Sequence, residues 1–198
     1  MDALLKLSGG IDRINTLIGQ SVRWLVLASV LISAGNAIIR KLFDTSSNAF
    51  LEIQWYLFAA VFMLGSGYVM LKNAHVRIDF ISSKLSARTN AIIDLVGLLV
   101  FTIPLALILM WLSWPLFSRA FESGEMSANA GGLIRWPVLL IIPVGFAIVG
   151  LQALSEAIKR FAFVRGLLAE PFTPDHDKHD ELSLIDEIKD SGQPQGAR

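Results

Sequence analysis

The chain has 198 residues, with 17 Lys+Arg, 17 Asp+Glu, 3 His and no Cys. Charged residues make up 17%, below the about 25% of an average soluble domain, while hydrophobic residues make up 54%. Zero formal net charge excludes a strongly basic nucleic-acid binder, and the lack of cysteine excludes disulfides, thiolate zinc sites, iron–sulfur clusters and thiol chemistry.

In chain order, the first feature is a helical stripe. Leu4, Leu7, Ile11, Ile14 and Ile18 recur at spacings of three and four, with Lys6, Arg13 and Asn15 off the stripe. Residues 1–20 are predicted to form an amphipathic helix on the membrane surface, with Gly9-Gly10 as a point where it can split. Lys6, Asp12 and Arg13 interrupt the place where a cleavable signal peptide needs its apolar run, so none is expected.

Four charge-free runs follow. They cover 16 residues between Arg23 and Arg40, 19 between Glu52 and Lys72, 24 between Asp94 and Arg119, and 20 between Arg135 and Glu156. Crossing a bilayer takes about 20 predominantly apolar residues, and the shortest run reaches that length if Arg23 snorkels to the headgroups. Spans are predicted at about 21–40, 52–72, 91–114 and 136–158, together forming a transmembrane domain over 21–165. Trp24, Trp55, Tyr56 and Trp136 stand where spans begin, and Trp111 and Trp114 near the end of the third, the interfacial level that indoles prefer. The predicted fold class is an all-α membrane protein with four transmembrane helices and an N-terminal amphipathic surface helix. Pro104 and Pro143 inside spans predict kinks. Gly65, Ser66 and Gly67 permit close helix approach, either within the bundle or to a neighbour. Glu52, Gln54 and Trp55 form a polar handle for a neighbouring helix or an ordinary interfacial cluster.

Lys and Arg beside the spans divide into ten on the side of the termini and four on the other. The positive-inside rule therefore places both termini in the cytoplasm and the loops at about 40–51 and 115–135 outside. Arg40, Lys41, Arg119, Glu122, Glu125 and Arg135 give the outward loops charges for docking a partner, the alternative being a solvated connector. In the inward loop 72–90, His75, Arg77 and Asp79 alternate with Val76, Ile78 and Phe80. An extended turn sends the two sets to opposite sides, which marks the polar three as organisers of that turn. Ser86 is a candidate N-cap for the third span. After Gly166 the chain turns acidic and proline-bearing, and 166–198 is predicted to be a mostly disordered cytoplasmic tail. His176 and His179 lack an organised surrounding shell for a metal, so no metal site is assigned to them.

Ionisable groups deep in a membrane mark ion or proton paths, and none stands near the middle of a predicted span. A proton-exchanging exporter needs a buried carboxylate there. A membrane cytochrome needs paired histidines, whereas His75, His176 and His179 all lie outside the spans. Walker, GxSxG and HExxH motifs are absent. What remains is a scaffold, anchor or accessory membrane subunit, without catalytic residues, cofactor or metal.

Particular residues then add a resemblance. Glu52-Ile-Gln-Trp55-Tyr-Leu-Phe58 opens the second span, Leu64-Gly65 lies within it, and Lys72-Asn-Ala-His75-Val-Arg77-Ile-Asp79 follows it. Ser86-Ala-Arg88, Glu125-Met-Ser127, Gly131-Gly132-Leu133, Trp136-Pro137, Gln152 and Glu156 come after in order. Over about residues 20–160 the chain resembles the small membrane subunit of tripartite ATP-independent periplasmic (TRAP) transporters, the DctQ type. The resemblance implies a non-transporting scaffold in a bacterial inner membrane. It implies two protein partners: a large, sodium-driven, elevator-type membrane subunit, and a periplasmic binding protein that delivers a substrate, commonly an organic acid. Glu52, Trp55, Gly65, Gln152 and Glu156 are then expected at the interface with the large subunit. The alternative is an enzyme or enzyme anchor at the headgroup level, with His75, Arg77 and Asp79 as its catalytic group.

Overall fold

The computed structural model describes residues 1–44, 47–74 and 84–168. Four helices are long and apolar enough to cross a membrane: α1 (Asp2–Phe43), α2 (Asn48–Leu71), α3 (Ala87–Ser123) and α4 (Trp136–Val164). Among the described residues the rest is turn and loop, with one isolated antiparallel bridge between Met126 and Ile134.

The helix ends follow local chemistry. Ser86 caps α3 as predicted, its Oγ accepting the Thr89 N–H at 3.2 Å. Pro137 opens α4 in the first turn, where a missing N–H leaves no bond unmade. Gly124, with φ +62°, ends α3 in the left-handed region that glycine enters without a Cβ penalty.

Residues 2–20 are helical, as predicted, and lead directly into the first span. α1 runs unbroken for 42 residues, about 63 Å at 1.5 Å per residue, straight through Gly9-Gly10. Tertiary packing holds that stretch helical: Ser8, Ile11 and Asn15, on one face, are buried against the end of α4. Leu4, Leu7 and Ile14 of the predicted stripe stay exposed beside that face. Pro104 follows a π-helical segment, a feature at which helices commonly kink. The widened turn occupies Leu98–Thr102, immediately before it. A proline removes one backbone bond and crowds the preceding turn, and a π segment re-satisfies the freed groups. Pro143 sits buried in an uninterrupted α4.

α4 is the central helix and packs against the other three. α1 and α2 pack against each other and α4, and α3 joins the bundle through α4. The contacts are made by small residues. Ala153, Ala157 and Ala162 of α4 are buried, as are Ala60 of α2 and Ala91, Ala106 and Ala120 of α3. A Cβ on Gly145 would come 2.7 Å from Met63 Cβ, so α4 and α2 approach as closely as backbones allow. Gly67 is the tightest three-helix junction, where a Cβ would meet Asn15 Oδ1 at 2.4 Å and Ile148 Cγ2 at 2.6 Å. Of the glycines marked in the sequence, Gly67 serves the chain's own bundle, while Gly65 has only Val22 in ordinary contact range.

Large apolar side chains point the other way. Phe62 is 81% exposed and Trp111 74%, with many leucines, isoleucines and phenylalanines of α1, α2 and α3 beside them. A water-soluble monomer does not expose an apolar surface of this extent. Small residues inside and large apolar ones outside is the arrangement of a bundle solvated by lipid.

Candidate functional site

Polar side chains gather in two layers at opposite ends of the bundle. Between the layers, the one charged side chain among the described residues is Arg23. It is exposed on the outer surface of α1, with its guanidinium 5.8 Å from the Trp24 ring centroid.

The first layer joins the amino-terminal part of α1 to the carboxy-terminal part of α4. Gln152 and Glu156 are 0% and 1% exposed. Asn15 Nδ2 donates to Gln152 Oε1 at 2.7 Å, and Gln152 Nε2 donates to Asp12 Oδ1 at 2.9 Å and to Glu156 Oε1 at 3.2 Å. The Ser155 hydroxyl donates to Asp12 Oδ1 at 2.7 Å and itself lies 2.7 Å from Ser8 Oγ. Lys159 bridges Asp12 Oδ2, at 3.0 Å, and Glu156. Arg160 pairs with Glu156 through Nη1 and with Asp94 of α3, at 3.2 Å, through Nε. Three helices are thus tied by paired charges that satisfy one another, the condition under which charges tolerate burial.

The second layer joins the start of α2 to the loop between α3 and α4. Glu52, 9% exposed, is its centre. Its Oε1 accepts from the Ser127 hydroxyl and from Asn129 Nδ2 at 2.7 Å, and its Oε2 accepts from the Leu133 N–H at 2.7 Å. Asn48 Nδ2 donates to the Ala130 carbonyl at 2.9 Å, and the Tyr56 hydroxyl to the Ile134 carbonyl at 3.1 Å. Within the loop, Ser127 N–H reaches the Leu133 carbonyl and Arg135 N–H the Glu125 carbonyl, both at 2.9 Å. Glycine is required at 132, because a Cβ there would lie 2.6 Å from Ser127 Cβ and 2.9 Å from Glu52 Oε1. The carboxylate thus substitutes for regular structure in holding the loop.

These layers decide where the sequence-predicted residues stand. Glu52, Gln152 and Glu156, expected at a partner interface, are turned inward and bonded within the chain itself, because each has several complementary donors or acceptors close by. Trp55 points outward at 75% exposure, whereas Gly65 is half-buried and turned toward Val22 of α1. Arg40, Lys41, Arg119, Glu122, Glu125 and Arg135 are all exposed, with Glu125 and Arg135 paired to each other. Arg40 and Lys41 edge a groove with Asn36 and Gln54 at the carboxy-terminal end of α1. His75, Arg77 and Asp79 lie outside the described residues, as does the tail beyond residue 168. Among the described residues no group of three or more His, Asp or Glu could hold a metal ion.

Sequence reasoning missed Ser8, Asp12 and Asn15 as a polar face of α1. It also missed Ser155, Lys159 and Arg160 as its counterpart. The 8–12–15 and 152–155–156–159 spacings were the available signal.

The motif pieces scattered along the chain meet in these layers: Glu52 with Ser127, Gly132 and Leu133, and Gln152 with Glu156. The model of the family described as tripartite ATP-independent periplasmic transporters, DctQ component, matches residues 23–163, which is most of the chain, the whole Glu52 layer and the α3 and α4 side of the other. The chain belongs to the DctQ family. No curated protein and no solved structure matches it. DctQ proteins are the small membrane subunits of TRAP transporters, working with a large membrane subunit and a substrate-binding protein. The chain is therefore a membrane-embedded transporter component and not an enzyme, and the alternative of a catalytic His75–Arg77–Asp79 group is set aside. For a DctQ subunit the two layers are structural locks, one fixing the bundle and one fixing a loop.

Proposed function

We propose that this chain is the static, non-transporting scaffold of a sodium-coupled carrier for an organic acid in the inner membrane of a bacterium. The observation that carries the reading is the interior between the two polar layers, where no charged side chain among the described residues faces the bundle. Transport of a carboxylate with sodium needs charged or polar groups at membrane depth. Those groups belong in this reading to the large subunit. The ten-to-four division of Lys and Arg favours cytoplasmic termini and an outward Glu52 layer.

The large subunit packs on the face of α2 that presents Trp55, Phe58 and Phe62, three exposed aromatics at helical spacing, with the half-buried Gly65 at its edge toward α1. The loop between Gly124 and Arg135, held by Glu52, is a preformed platform for the periplasmic binding protein. Preorganisation lowers the entropy lost on docking. Arg119, Glu122, Glu125 and Arg135 surround the platform, and Arg40 and Lys41 extend its charge on the α1 side.

Charge contacts of this kind set association rate more than final affinity, and salt weakens them. Reversing Glu122 and Glu125 to lysine is expected to slow uptake several-fold at low binding-protein concentration and low salt. Excess binding protein is expected to restore most of it. Unchanged uptake at every binding-protein concentration would reduce the loop to a connector and leave docking to the large subunit.

A further inference from the structure

Between the carboxy-terminal part of α1 and the first turns of α2 lies a groove of about 590 Å³. Its walls carry Ser33, Asn36 and Ala37 of α1 and Leu51 and Gln54 of α2. Arg40, Lys41 and Asp44 stand at the rim, where α1 ends. Ser33 lies about 10 Å further into the helix than Arg40, at 1.5 Å per residue, within the charge-free run of the first span. Asn36 is 8% exposed, and its Oδ1 is buried without a hydrogen-bond partner among the described residues. Ser21 on the same helix differs, since its hydroxyl donates to the Leu17 carbonyl at 2.8 Å. A polar group left unpaired at membrane depth is costly, and a hydrogen bond to a neighbouring helix is the usual remedy.

We propose that this groove receives a transmembrane segment of the large subunit, which meets the Asn36 amide with a hydroxyl or amide side chain of its own. The proposal rests on the reading that places the large subunit along α2. Acyl chains offer no hydrogen bond to Ser33, Asn36 or Gln54, so lipid is a poor cover for these walls. A soluble protein reaches the level of Arg40 and Lys41 but not the turns beneath them. The groove is also continuous with the aromatic face of α2: Leu51, exposed in the groove, precedes Trp55, Phe58 and Phe62 at spacings of four, three and four. A hydroxyl or amide both donates and accepts, so it pairs with either end of the Asn36 amide, which exchange by rotation about its final bond. Arg40 and Lys41 stay at the rim for the periplasmic partner.

Photocrosslinking in the assembled transporter tests the contact. A photoreactive amino acid is placed at Ala37, exposed in the groove, or at Phe58 on the aromatic face. Both positions are expected to give an adduct with the large subunit. An adduct from Phe58 but not from Ala37 overturns the groove contact and leaves the packing along α2 standing. No adduct from either position overturns both. An adduct from Ala37 with lipid, with the binding protein or with a second copy of this chain, in place of the large subunit, also overturns the proposal. Asn36→Ala gives the second readout. The purified chain is expected to keep its unfolding temperature in detergent, because no internal hydrogen bond is lost, while recovery of the large subunit with the tagged chain falls several-fold. Ser21→Ala is expected to change neither. A lowered unfolding temperature for Asn36→Ala makes the amide an internal structural group, and undiminished recovery makes it idle toward the large subunit; either result overturns the proposal.

Discussion

Glu156→Ala is expected to destabilise the chain by about 3–5 kcal/mol, the usual loss when one partner of a buried ion pair is removed. The carboxylate is 1% exposed and is shared by Lys159, Arg160 and Gln152. Without it Lys159 keeps Asp12 and Arg160 keeps Asp94, but both must place charge beside an empty volume at the centre of three helices. Glu156→Gln, which preserves shape and one acceptor, is expected to lose less. Thermal unfolding of the purified chain in detergent checks both. A wild-type unfolding temperature for Glu156→Ala would mean that water or a repacked α4 already serves these cations, and the layer would lose its standing as the lock between α1, α3 and α4.

Glu52→Gln is expected to leave the helices folded and to free the loop they carry. The amide offers an N–H where a carboxylate oxygen accepted from Ser127, Asn129 or Leu133, so at least one donor loses its acceptor and meets another donor instead. Amides between Gly124 and Arg135 are expected to exchange with deuterium much faster than in wild type, while those in the middle of α4 are unchanged. Uptake by the assembled transporter is expected to fall several-fold at limiting binding protein, because the platform must be ordered at each encounter. Unaltered loop exchange would show that the backbone bonds of the loop suffice without the carboxylate.

The four spans were legible because lipid imposes a one-dimensional rule: a stretch that crosses hydrocarbon cannot carry many charges. Trp136 begins α4 where its indole and the following proline placed the start, and Ser86 caps α3 where a hydroxyl precedes the helix. The continuation of α1 through Gly9-Gly10 was not legible. Glycine lowers intrinsic propensity, and what outweighs it here is burial of Ser8 and Ile11 against a helix more than 140 residues away in sequence. The same limit hid the roles of Glu52, Gln152 and Glu156. Each was marked as notable, but a polar residue at a span end looks alike whether it meets a partner protein or its own chain. The answer depended on Ser127 and Asn129, 75 and 77 positions from Glu52, and on Asp12 and Asn15, 140 and 137 positions from Gln152. The π segment was half legible: Pro104 announced a disturbance, and only the backbone showed that it is absorbed by widening the turn before it.

The central claim is that this subunit supports transport without performing it. Uptake of labelled organic acid into proteoliposomes under an inward sodium gradient, with binding protein present, measures this directly. The chain reconstituted alone is expected to give no uptake above empty vesicles, the large subunit alone little, and the two together a sodium-dependent rate. Sodium-dependent accumulation by the chain alone would contradict the account, since it would require a substrate path through an interior where no charged side chain among the described residues stands between the two polar layers.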